Sequence, residues 1–137
     1  MSDVSAALRD EVALRAGDRC EYCGLSQVGQ EATFHIDHVV PRAARGPTTA
    51  DNLALACVSC SLRKSARQTA PDPESGRDVP LFNPRTQFWA EHFCWAGERI
   101  APLSPTGRAT VAALALNRPL ILAIRREEAA RGRHPPE

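Results

Sequence analysis

Cys20-Glu21-Tyr22-Cys23 and Cys57-Val58-Ser59-Cys60 enclose thirty-three residues, and between them lie His35-Ile36-Asp37-His38 and Asn52. Two residues between cysteines let both thiolates of one turn converge on a tetrahedral ion, and two such turns complete a structural zinc site. The spacing therefore predicts a zinc site of Cys20, Cys23, Cys57 and Cys60, with the intervening segment folding as a unit. The other common use of CxxC, a redox pair, opens a helix after a strand in a βαβ unit, and that context is missing here. A zinc site contributes folding free energy directly, which a small core needs.

The rest of the chain agrees with a small domain. It has 137 residues, a length that suits one domain. Lys and Arg number 17 against 16 Asp and Glu, a net charge of +1. That balance excludes a globally basic nucleic-acid coat and an acidic solvating tail, but not a local basic patch. Aromatics are 5%, which argues against an aromatic-rich sandwich. No apolar run reaches the ~18–20 residues that span a bilayer. Met1-Ser2-Asp3 leads straight into a charged amphipathic stretch, so no signal peptide and a cytoplasmic setting are expected. Cys94 has no partner and reads as a buried apolar cysteine beside Phe93 and Trp95.

The expected class is α+β, a single domain over 1–137 with its core over about 18–70. A helix is expected from Val4 to Ala16, closed by Gly17. Thr33 to Val40 and Asn52 to Ala56 read as strands, and Ser59 to Arg67 as a short basic helix. Residues 71–100 form an extended loop and a packing segment, the loop rich in Pro, Asp and Gly from Pro71 to Pro84. Helices follow over 104–131, with Pro119 in a first turn. The tail 132–137 is expected to be disordered.

A carboxylate beside a histidine at a strand end offers two tools for phosphodiester hydrolysis. Asp37 can hold a divalent metal through hard oxygen. His38 can take a proton from an attacking water, since its ordinary pKa lies near neutrality. An Asn on the facing strand can fix the histidine loop across the hairpin. Arg42, Arg45, Arg63, Lys64 and Arg67 flank these residues against a single acid, Asp51, and suit phosphate contacts that give affinity without much sequence information.

With these residues together, the chain resembles an HNH endonuclease of the zinc-stapled kind, with a ββα-metal core (the HNH or His-Me finger). The resemblance runs from Cys20 to about Arg67. It continues more loosely through Pro80-Leu81-Phe82-Asn83-Pro84-Arg85 and Trp89-Ala90-Glu91-His92-Phe93, which are similar to stretches of a bacterial HNH subfamily. It implies a metal-dependent endonuclease. Asp37 would be a ligand of the catalytic metal (Mg²⁺, Mn²⁺ or Ni²⁺), His38 the general base, and Asn52 the middle Asn of the family name. Where the family usually places Asn or His as the second metal ligand, this chain has Ser61, a weaker and shorter one. His35, two residues before Asp37, faces the same way on a strand and is the candidate to replace it. His92 is a further candidate near the site or a structural histidine. The implied partner is double-stranded DNA with weak sequence preference, bound by a monomer or homodimer. The competing readings are a catalytically impaired zinc-stabilised DNA-binding or regulatory module and, last, a zinc-stabilised protein-interaction domain.

Overall fold

Three antiparallel hairpins and five helices make up the computed structural model, which describes residues 4–137. The opening Met1-Ser2-Asp3, read above for the absence of a leader, lies outside the described residues. The helices are α1 (Ala6–Arg15), α2 (Val58–Lys64), α3 (Trp89–His92), α4 (Pro105–Ala113) and α5 (Pro119–Ala130). The strands are β1 (His35–His38), β2 (Leu53–Ala56), β3 (Thr69–Pro71), β4 (Asp78–Pro80), β5 (Phe93–Ala96) and β6 (Arg99–Pro102), paired in sequence order. Among the described residues, no helix is long and apolar enough to cross a membrane.

Three of the five helices start at a side-chain cap, and α3 and α5 have none. Ser5 Oγ accepts from Leu8 N at 3.1 Å and opens α1, satisfying one of the orphan amides of the first turn. Ser104 does the same for α4 by accepting from Gly107 N at 2.9 Å, with Pro105 next in the chain. Helix α2 begins at Cys57, whose sulfur accepts from Cys60 N at 3.4 Å. It ends at Ser65, where φ turns to +50°, so the basic helix is shorter than the composition suggests.

The β1–β2 hairpin pairs His35 with Ala56 and His38 with Leu53. Its fourteen-residue connection is closed by Asn52. The Asn52 side chain accepts from Val40 N at 2.9 Å and donates to Val40 O and Pro47 O. Gly46 makes this closure possible, because a Cβ there would sit 1.7 Å from Val40 O. Helix α2 packs on one face of the hairpin, and α1 packs against β2. The outer edge of β2 is occupied by Glu21, whose amide donates to Leu55 O and whose carboxylate accepts from Leu55 N. The edge of β1 is left facing a cleft.

Several expectations are corrected. Pro71 to Pro84 contains the β3–β4 hairpin instead of a plain loop, covered by α4 and anchored by the Asp72–Arg108 ion pair. Cys94 is exposed, not buried, because Phe93 takes the inward position and alternation turns its neighbour out. The tail is held against the domain. The Arg133 guanidinium pairs with Glu128, Arg133 O accepts from Arg19, and the His134 ring packs edge-on against Trp95 at 4.7 Å. His92 donates or accepts through Nδ1 at Ser104 Oγ, 2.6 Å away, and packs beside Phe82, so its role is structural.

Candidate metal centre and catalytic cleft

The four cysteines lie at the base of the domain, each at most 3% exposed. Both CxxC turns use the same local bond, an amide donating to the first sulfur of the pair at 3.4 Å: Cys23 N to Cys20 and Cys60 N to Cys57. Gly24, at φ +77°, lets the first turn reverse. All four sulfurs lie within 4.8 Å of one another. The Cys23 and Cys57 sulfurs are 3.7 Å apart, far beyond the ~2.05 Å of a disulfide. Four sulfurs at the ~2.3 Å zinc–sulfur distance on tetrahedral corners stand about 3.8 Å apart. The cluster is thus compatible with a structural zinc ion. Burial pushes the Cys20 thiol well above its ordinary range, while hydrogen bonds with Cys20, Cys23 and Cys60 pull Cys57 far below. A divalent cation held here would deprotonate the coordinating thiols outright.

The hairpin carries the second cluster. A cleft of about 630 Å³ opens along β1, lined among others by Arg9, His35, Asp37, His38, Arg42 and Ser61. His35 and Asp37 face α2, as their spacing on a strand requires. His35 Nδ1 is 2.9 Å from Ser61 Oγ. Asp37 is 7% exposed. It accepts from Tyr22 Oη at 2.7 Å and is paired with Lys64 Nζ at 3.2 Å. Burial raises its pKa above the usual carboxylate range, and Lys64 and Tyr22 pull the other way. His38 points to the other face. Its Nε2 is 2.9 Å from Thr48 Oγ1, and Arg42 Nε donates to the same nitrogen at 3.4 Å.

The sequence-derived site residues are thus only partly brought together. His35, Asp37, His38, Arg42 and Ser61 share the cleft, while Asn52 shapes it from behind by clamping the loop. Arg45 and Arg63 are exposed, and Arg67 is exposed but tethered to Arg63 O and Ala113 O. Lys64 is corrected outright. It is 2% exposed, bonded to Asp37 and to His38 O, and presents no charge to solvent. Ser61 is corrected in emphasis, since its hydroxyl engages His35. Three contributors escaped the sequence reading: Tyr22, Thr48 and Arg9. Tyr22 sits inside the first CxxC, where an aromatic can reach over the hairpin, and that was a usable signal. Thr48 and Arg9 carried none.

The donor set can be tested against a catalytic metal. Apart from the four cysteines, the described residues contain no cluster of three His, Cys, Asp or Glu atoms close enough to share an ion. The cleft is lined by one carboxylate, Asp37, and two imidazoles, His35 and His38.

A family model described as HNH endonuclease matches residues 20–67, from the first knuckle through the end of the basic segment. Comparison with curated proteins and with solved structures produced no match. The matched segment holds β1, β2, α2 and the four cysteines placed to hold a metal ion. Residues 20–67 are therefore similar to the HNH endonuclease family.

Proposed function

We propose that this protein is a metal-dependent endonuclease that hydrolyses DNA phosphodiester bonds, with zinc in the four-cysteine site as its structural ion. The observation that carries the reading is the single cleft shared by His35, Asp37, His38 and Arg42 at the open edge of β1. His38 takes the proton of the attacking water, and the Thr48 hydroxyl orients its ring for that task. Arg42, exposed at the rim, contacts the phosphate. Asn52 keeps the loop carrying Arg42 and Thr48 in register with His38.

Asp37 and His35 would hold the catalytic cation, and Ser61 would act as the hydroxyl that fixes the His35 ring, as outer partners of metal-bound histidines do. When bound, the ion supplies positive charge at the scissile phosphate and the leaving oxygen. One oxygen donor and one imidazole favour Mn²⁺ or Ni²⁺ over Mg²⁺, which prefers oxygen alone. Double-stranded DNA bound with weak sequence preference is the expected substrate, since the exposed Arg42, Arg45 and Arg63 suit phosphate contacts that carry little sequence information.

A second reading, a DNA-binding or regulatory module without turnover, is favoured by one observation. Lys64 already neutralises Asp37, so the carboxylate has less negative charge to offer an ion. Plasmid DNA incubated with the protein and Mn²⁺, Ni²⁺ or Mg²⁺ separates the two. Nicking that His38→Ala lowers by about 10²–10⁴-fold, with DNA binding retained, supports the enzyme. Salt-sensitive binding with no nicking under any metal supports the module.

A further inference from the structure

Arg125 is the largest of the fully buried side chains, 2% exposed, and it lies on α5, outside the HNH segment. A guanidinium taken out of water costs several kcal/mol unless an opposite charge meets it. None of the described carboxylates does so. Its hydrogen bonds run to neutral acceptors: Glu98 O at 2.9 Å, Asn117 Oδ1 at 3.4 Å and Cys23 O at 3.4 Å. Its Nε has no partner. Its charged end lies 5.2 Å from the centre of the Trp95 ring, a cation–π contact that offsets only part of the cost. Its Nη2 meets the first knuckle at Cys23 O, and the two residues line one small pocket. Four thiolates around a divalent ion carry a net double negative charge, and the knuckle that would hold two of them is the one Arg125 touches.

We propose that Arg125 is the counter-ion of the zinc centre, a positioning residue that neutralises the thiolate cage and fastens α5 to it. The assignment rests on the zinc reading above. It explains why the first knuckle and the C-terminal segment are built to touch. Gly24 has no room for a side chain because Trp95 would lie 2.9 Å from its Cβ. Arg19 donates to Gly24 O and to Arg133 O, bridging the knuckle and the tail. The C-terminal helix is thereby part of the metal site's outer shell.

The test compares zinc affinity, by competition with a chromogenic chelator, in the full chain and in Arg125→Gln, Arg125→Lys and Arg126→Gln. Arg126 is the control, 72% exposed and paired with Glu98 at the surface. Removing an outer partner of a metal site costs about 10–100-fold in affinity, and that loss is expected for the Gln variant, with Lys closer to wild type and the control unchanged. Equal affinity in wild type and Arg125→Gln would overturn the assignment. Titrations are run at excess zinc, where mass action favours the folded state. If the Gln variant stays unfolded there while the Lys variant folds, charge is the requirement and the proposal stands. If both fail, the shape of the guanidinium matters and not its charge, and the proposal falls. The zinc content of the wild-type chain tests the underlying reading separately: no bound zinc removes that reading and the counter-ion with it.

Discussion

The two clusters of this domain sit on opposite terms with water. The cysteine site is closed: four buried sulfurs satisfy one another's geometry and are spaced for a tetrahedral ion. The cleft along β1 is open, and its central carboxylate is already engaged by Tyr22 and Lys64. Zinc at the first cluster would complete the fold, whereas the proposed cation at the second would have to compete with an ammonium group. The closed site leaves a cation nothing to displace, but the open one depends on whether its neighbours leave room.

That contrast can be broken first at its stronger end. Cys60→Ala, or chelation of the wild-type chain, is expected to abolish the cooperative thermal transition. Structural zinc supplies on the order of 10 kcal/mol to small folds, comparable with the ~5–15 kcal/mol that holds a whole domain together. A variant that still melts cooperatively without metal would show that the hydrophobic core carries the fold by itself.

The next largest effect tests the competitor in the cleft. Lys64→Met leaves Asp37 buried without its cation, and breaking a buried pair in this way costs about 3–5 kcal/mol. Denaturant unfolding should register that loss. Calorimetry should also record tighter Mn²⁺ binding at the cleft, since the ion becomes the sole counter-charge. Unchanged metal affinity would mean that Lys64 and the ion do not compete.

Ser61→His restores a nitrogen donor on α2 beside His35. Nicking in Mn²⁺ is expected to rise about tenfold, worth ~1.4 kcal/mol of barrier, and a fall would show that His35 needs the serine hydroxyl more than the cleft needs another ligand.

The smallest effect lies far from both clusters. Arg108 holds the Asp72 carboxyl below the usual carboxylate range. Its stabilising contribution is therefore complete above the ordinary value of about 3.9 and is lost as pH falls through the depressed folded value. The stability difference between wild type and Asp72→Asn should shrink across that window. A difference that stays constant with pH would assign the Asp72 effect to shape and not to charge.

Much of the metal frame was legible because CxxC geometry is local: two residues and a turn decide where both sulfurs go. The strand–loop–strand–helix order followed from His35 to His38, Asn52 and the residues after Cys57 for similar reasons. What escaped was direction. Lys64 reads as one more positive charge in a basic run, and nothing in that run says that its stem passes inward to reach Asp37. Cys94 reads as apolar among aromatics, and only the phase of β5 turns it out. The β3–β4 hairpin was hidden because its strands are only three residues long and border a stretch rich in Pro, Asp and Gly, and its Asp72 is anchored by Arg108, thirty-six residues away. Arg125 was invisible as a site residue, since its charge gains meaning only once the thiolates are placed beneath it.

Cys57 is both a candidate ligand and the residue whose sulfur opens α2. The ion therefore fixes the rotational phase of that helix as well as its position. Successive residues turn by about 100° around a helix axis. A slip of one position would bring Leu62 to where the Ser61 hydroxyl meets His35 and would carry Lys64 away from Asp37. A metal held by the knuckles would act in this way as an angular stop for Ser61 and Lys64, which follow Cys60 on the same short helix.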